Sequence, residues 1–398
     1  MLIKYVKANI VKDSRNQDTI EVIINNKSAK CPSGKSKGKH EARTVDAKKA
    51  VNNIDKIIAK NIIGKDLTQE ELDKILIRLG GKNKSKIGAN STTAISIAFC
   101  KASSENLYKQ IGNLYGNNNF SIPIPFMNVI NGGVHAKNKL SIQEFIIIPT
   151  NVKSFFDAFK ICIKIYNELK IIIKEFYEKI KIGDEGGFSP PIEKTEHALN
   201  LLNEAVKRTG YEDKIKFGLD AAASQFYKNG KYKIDGQKLT AKELQNFYKD
   251  IIERYSIIYI EDPFYENDWK SFVELTKYFE NRIMIAGDDL LTTNIERIKK
   301  AIKLNACNSI ILKINQIGTV SEALEAAKLA MKNSMHVIVS HRSGETTDSF
   351  ISDFAVGIGC GFIKAGAPFT PYRLAKYKRL IQIEKETGTI YAGNIFKF

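Results

Sequence analysis

The chain has 398 residues, 43% hydrophobic and 26% charged, a globular composition with length for a β/α barrel plus a smaller domain. No apolar run is long enough for a membrane span, no signal peptide is expected, and five scattered cysteines without a CxxC pair argue against a disulfide framework or a zinc site and suit a reducing cytoplasm. The net charge of +17 comes without an Arg-rich tail or an RNA-binding motif, so a nucleic-acid partner is not expected, although the charge can help draw in an anionic substrate.

Residues 2–12 and 19–30 read as two strands of a hairpin or meander. Thr68 and Glu71 make a capping box that opens a helix, and Gly80 and Gly81 end it. A second apolar helix is expected over 90–111. The Gly- and Asn-rich stretch 112–120 is the best linker. From residue 120 onward, short Ile/Val/Leu runs alternate with helical segments, the signature of β/α units. The runs span 144–149, 214–220, 256–262, 283–289, 309–313, 336–343 and 361–364. Capping boxes at Thr240 with Glu243 and Thr319 with Glu322 open two intervening helices. The absence of a Gly-rich phosphate loop weakens the nucleotide-binding, open-sheet alternative.

Nearly every run ends in a functional side chain: Asp220, Glu261 and Asp262, Asp288 and Asp289, Lys313, His341 to Ser343, and Lys364. In a β/α barrel these ends share the active-site face. One polar end is an ordinary loop start, but six in succession are not explained by solvation. Carboxylates at three neighbouring strand ends, Asp220, Glu261 with Asp262, and Asp288 with Asp289, make an oxygen-only site, which suits Mg²⁺. A lysine beside another cation and a metal has its charged form disfavoured, so Lys313 is expected to have a lowered pKa and to act as a general base. A Schiff-base lysine is the competing chemistry. The metal set favours proton abstraction, because a metal-held carboxylate substrate can store the resulting charge.

Asp184 and Glu185 lie between glycines in 182–191, and Glu144 opens the run 144–149. Two neighbouring carboxyls can have their pKa values split, which keeps one protonated as an acid. The Gly-rich loops 31–42 and 130–138 carry Ser33 and His135 and are candidate lids.

Taken in order, these residues resemble those of the enolase family over essentially the whole chain. The match rests on separate blocks, among them PSGKSKGKHEA at 32–42, PIPFMNVINGGVHA at 123–136 and GDEGGFSP at 183–190. It continues with IEDPFYENDW at 260–269, LKINQIGT at 312–319 and VSHRSGETTDSF at 339–350. The resemblance implies an N-terminal α+β domain, residues 1–119, and a modified (β/α)8 TIM-like barrel, residues 120–398. It implies Mg²⁺-dependent interconversion of 2-phosphoglycerate and phosphoenolpyruvate by a cytoplasmic homodimer. Asp220, Glu261 and Asp288 are implied to hold one Mg²⁺, and Ser33 to help bind a second that arrives with substrate. Lys313 is implied as the base for the C2 proton. Glu185, supported by Glu144, is implied as the acid for the departing 3-hydroxyl. Arg342 and Ser343 are implied to hold the phosphate, with His341, Lys364, His135 and Gln143 around the substrate.

The chain also departs from the family pattern. Lys35, Lys37 and Lys39 add positive charge to loop 32–42, which works against closure over two cations. Asn9 with Tyr372, and Glu21 with Gln382, occupy positions where the family dimer commonly has ion pairs, and neither pair can form as such. Two other readings are weaker. Gln143 and Glu144 stand where acid-sugar dehydratases often carry a K-x-K motif, and a non-catalytic binding role rests on charge alone.

Overall fold

The computed structural model describes residues 1–36 and 38–393. Strands β1 (Val6–Lys12), β2 (Asp18–Ile24) and β3 (Lys27–Lys30) form an antiparallel sheet in that order. Asn25, at φ 52°, turns the chain between β2 and β3, so the run 19–30 is two strands; asparagine tolerates this left-handed backbone. Ile20, Val22 and Ile24 alternate along β2 and bury their side chains, and helix Ala89–Ala102 packs on this sheet. The helix that follows Thr68 runs Gln69–Gly80, with both halves of its capping box formed. The helix expected over 90–111 is two, Ala89–Ala102 and Leu107–Tyr115. Ser104 accepts from the Asn106 N–H, and the Asn106 side chain then caps the second helix.

Eight strands close a barrel. In chain order they begin with β4 (Ile124–Asn131), β5 (Glu144–Pro149) and β6 (Ile215–Asp220). A small antiparallel sheet of β7 (Tyr227–Lys228), β8 (Lys231–Ile234) and β9 (Gln237–Leu239) intervenes. The barrel then continues through β10 (Ile257–Glu261), β11 (Met284–Gly287), β12 (Ser309–Leu312), β13 (His336–Ser340) and β14 (Gly361–Lys364), which pairs with β4. Strands such as β4, β5 and β12 are buried along their whole length, as strands covered on both faces must be.

The β/α rhythm is broken at its start. β5 is antiparallel to both β4 and β6, while the later neighbours are parallel. The start of β5 therefore lies at the same mouth as the ends of the other strands, and Glu144 pairs with Asp220. The full capping box at Thr240 is present. At Thr319, Glu322 divides its carboxylate between the Thr319 hydroxyl at 2.7 Å and Lys84 at 2.8 Å. All five cysteines are buried thiols. Among the described residues, no helix is long and apolar enough to cross a membrane.

Candidate active site

The strand ends bring the expected residues to one mouth. Of the residues that the resemblance gives a role, all except Ser33 and Glu261 line a narrow pocket of about 20 Å³, room for about one water, and Glu261 lies against it through Lys364; Asp184, Asp262 and Asp289 do not line it. The Lys364 ammonium is 2.6 Å from Glu261 Oε2 and 3.1 Å from both Asp220 Oδ2 and Glu144 Oε2. Burial works to lower its pKa, but these carboxylates outweigh burial and hold it well above the usual lysine value. Tyr259 donates to the same Glu261 oxygen at 2.5 Å, and Gln143 to Asp220 Oδ2 at 3.2 Å. Burial, with Asp220 beside it, pushes the Glu261 carboxyl up to about 7. Its Oε1 is buried and accepts no hydrogen bond from the described residues.

Lys313 follows β12 and donates to Asp288 Oδ2, while Gln316 donates to Asp288 Oδ1 at 2.8 Å. The lowered Lys313 pKa expected from sequence is not found. Burial does act in that direction, as do the Arg342 and Lys364 charges, but the touching Asp288 carboxylate together with Glu261 raises the pKa on balance, so the ammonium is stabilised.

A second cluster surrounds Glu185. Asn128 donates to its Oε2 at 3.0 Å, and His341 Nε2 is 3.3 Å from the same oxygen. His135 Nδ1 stands between the two carboxyls, 3.6 Å from Glu185 Oε1 and 3.9 Å from Glu144 Oε1. Their pKa values are split, with Glu144 the higher and not Glu185. Burial and the Glu185 charge raise Glu144 well above its usual value. Burial also works to raise Glu185, but His341, His135 and Arg373 reverse it and hold this carboxyl well below the usual range.

Ser33 does not reach the pocket. It exchanges two backbone hydrogen bonds of 2.8 Å with Gly344, which pins it to the turn after β13. Its hydroxyl donates to Asp13 at 2.7 Å and accepts from Arg15 at 2.6 Å. Ser36, three residues later, is the loop serine that lines the pocket. The loop also supplies Glu41, which takes two hydrogen bonds from the Arg342 guanidinium at 3.0 and 3.1 Å. Asn315 accepts a third at 2.9 Å. The loop lysines do not hold the loop away. Lys35 is 2.9 Å from Asp184, and Lys39 is 3.3 Å from Glu266. Lys37 lies outside the described residues.

Glu41 and Gln316 stand inside the resemblance blocks, yet their partners are far away in sequence and give no local signal. Asn128 and Tyr259 carry a readable one, a polar group inside an otherwise apolar strand.

Family models match most of the chain. The one described as the enolase N-terminal domain covers residues 3–112, and the one described as the enolase C-terminal TIM barrel domain covers residues 119–397. The chain belongs to the enolase family. The enolase of Methanocaldococcus jannaschii is 46% identical, aligned over 99% of this chain and 98% of its own length. Those of Methanococcus vannielii and Methanococcus maripaludis are 45% and 44% identical over 98% of this chain and 97% of theirs. As an enolase-family member the chain is a hydro-lyase, a phosphopyruvate hydratase, and the family depends on Mg²⁺.

The residues fit a hard divalent cation. Asp220, Glu261 and Asp288 offer oxygen alone, and the buried Glu261 Oε1, without a hydrogen-bond partner among the described residues, suits a cation ligand. Asp262, Asp288 and Asp289 also come within 4.8 Å of one another. However, Asp262 accepts from the Asp288 and Asp289 N–H groups at 3.0 and 2.6 Å, so its oxygens hold the turn.

Proposed function

We propose that this chain catalyses the reversible dehydration of 2-phosphoglycerate to phosphoenolpyruvate at the barrel mouth. It does so as a cytoplasmic homodimer, with residues 1–119 forming the N-terminal domain and 120–398 the catalytic one. The observation that carries the reading is the meeting, in one pocket, of Lys313, Glu185, Lys364 and the Asp220, Asp288 and Glu144 carboxylates.

Arg342 and Ser343 bind the phosphate. Arg342 exchanges Glu41 for phosphate oxygens, so its guanidinium keeps an anionic partner throughout. Asp220, Glu261 and Asp288 would hold one Mg²⁺, and Ser36, in place of Ser33, would be the loop hydroxyl available to a second. Bound Mg²⁺ supplies positive charge where the substrate carboxylate gains its second negative charge. A lysine or histidine base with one or two Mg²⁺ is the general enolase-superfamily pattern.

Lys313 takes the C2 proton. Burial and the Arg342 and Lys364 charges act to lower its pKa toward that of a base, and the Asp288 and Glu261 carboxylates act against them. Glu185 protonates the leaving 3-hydroxyl. An anionic substrate in the pocket favours protonated carboxyls, and Glu144, whose pKa burial and the Glu185 charge raise, stands across His135. Lys364, His341 and Gln143 orient the substrate and offset its charge.

Glu185→Gln separates the two proton transfers. Exchange of the C2 proton of 2-phosphoglycerate in D2O is expected to survive, while phosphoenolpyruvate formation falls by ~10²- to 10⁴-fold. Undiminished phosphoenolpyruvate formation would remove Glu185 from the acid role.

A further inference from the structure

Arg373, near the start of helix Pro371–Thr387, has a fully buried side chain and makes no ion pair among the described residues. A guanidinium is costly to desolvate, so its acceptors are informative. Nη1 donates to the Arg342 carbonyl at 2.6 Å and contacts His341 Nδ1. Nη2 donates to the carbonyls of Ser343 at 2.8 Å and Asp184 at 3.2 Å. One side chain thus joins two separate parts of the site, the loop that carries Glu185 and the turn that carries His341, Arg342 and Ser343.

We propose that Arg373 is a positioning residue that fixes His341 as its Nε2–H tautomer and locks the acid loop to the phosphate-binding turn. This deepens the dehydratase reading and rests on it for the roles of those groups. The tautomer follows from donor chemistry. Arginine has only donors, so His341 Nδ1 must accept, and the single ring proton of a neutral imidazole is left on Nε2. That N–H faces Glu185 Oε2 at 3.3 Å. His341 is then a donor to the Glu185 carboxylate and has no free nitrogen to take a proton from the Glu185 acid. The proton of protonated Glu185 is directed to substrate.

The packing around the trio supports a built arrangement. Gly366 has φ +82°, and a Cβ there would come within 2.8 Å of the Glu185 carbonyl and 3.0 Å of both Arg373 Cδ and His341 Cε1. Only glycine allows that backbone to pass so closely. Tyr377 donates to the Gly366 carbonyl at 2.5 Å, and the Ala367 N–H donates to the Glu185 carbonyl at 3.0 Å. The charged groups that act on His341 are Glu185, Arg373 and Glu345, and burial keeps the imidazole down at about 4. It is therefore neutral at working pH.

The test is a ¹⁵N spectrum of the full-length protein labelled at histidine. The chain has five histidines, and His341→Gln identifies the signal. The expected result from about pH 6 to pH 8 is one neutral ring with Nε2 protonated and Nδ1 bare. A ring protonated at Nδ1, or an imidazolium, in that range overturns the proposal before any variant of Arg373 is made, and independently of whether the dehydration assay succeeds. In Arg373→Met, both tautomers are expected, with kcat lower by ~10- to 100-fold and KM changed by less than ~3-fold. Arg373→Lys keeps a donor and is expected to restore the single tautomer in part. A folded Arg373→Met with the wild-type ring spectrum would overturn the positioning role even if kcat fell.

Discussion

Lys313 and Lys364 are the same residue type at the ends of two strands of one barrel, and their neighbours divide their work. Lys364 faces three carboxylates and is committed to its charge, while Lys313 has, among the described residues, one touching carboxylate, Asp288. A base can be released from one partner far more easily than from three. Tyr259 tunes the same set from the barrel interior through its 2.5 Å bond to Glu261. Tyr259→Phe is expected to raise the Mg²⁺ concentration for half-maximal activity by ~10-fold, the scale of outer-shell ligand support; a metal titration with no shift would leave this hydroxyl without a role in holding the ligand. At this scale the sequence reading identified the groups better than their states. Lys313, Glu185 and Glu144 were all legible, but which carboxyl holds the proton depends on His135, His341 and Arg373, brought together by tertiary folding. Ser33 and Ser36 lie three residues apart in one Gly-rich loop, and only the pairing of Ser33 with Gly344 shows which hydroxyl is turned away.

The reversed strand β5 makes the clearest case at the element scale. The strand-end rule alone gives no account of Glu144, which opens its run. The antiparallel direction does, by placing its first residue beside Asp220. The other runs were legible because buried parallel strands are continuous apolar segments, and 144–149 and 361–364 coincide with β5 and β14. Strand direction is not written in such a segment. The loop 32–42 shows the same limit for charge. Its lysines count as repulsion until Asp184 and Glu266, distant in sequence, come within reach. The Lys35 pair is partly exposed, at 46% and 26% for its two side chains, and a pair of this kind contributes under ~1 kcal/mol. Lys35→Ala is therefore expected to change kcat/KM by no more than about fivefold. A loss above about a hundredfold in steady-state kinetics would give Lys35 a part in substrate binding that its pair with Asp184 does not indicate.

Across the whole molecule, the N-terminal sheet and the barrel meet on the segment after β13. Ser33 pairs with Gly344, the Lys30 N–H donates to Asp348 at 3.1 Å, and Lys101 pairs with Asp348 at 2.6 Å. Burial works to raise the Asp348 pKa, but Lys101 and the Phe350 and Lys30 N–H groups hold it below its usual 3.8. A carboxyl depressed in the folded state stabilises above its unfolded pKa, and that stability is lost as pH falls through the folded value. Asp348→Asn is expected to lose about 1.5–3 kcal/mol at neutral pH and to show a shallower fall in stability below about pH 4. Denaturant titrations at pH 7 and pH 3 with the same deficit would contradict this account. The central claim concerns the chemistry that this frame supports. Its most direct test is phosphoenolpyruvate formation from 2-phosphoglycerate, with and without Mg²⁺, by the wild type and Lys313→Ala. Mg²⁺-dependent turnover that falls by ~10³-fold or more in a folded Lys313→Ala is the predicted result. A folded wild type without turnover at any Mg²⁺ concentration, or a variant as active as the wild type, would contradict it.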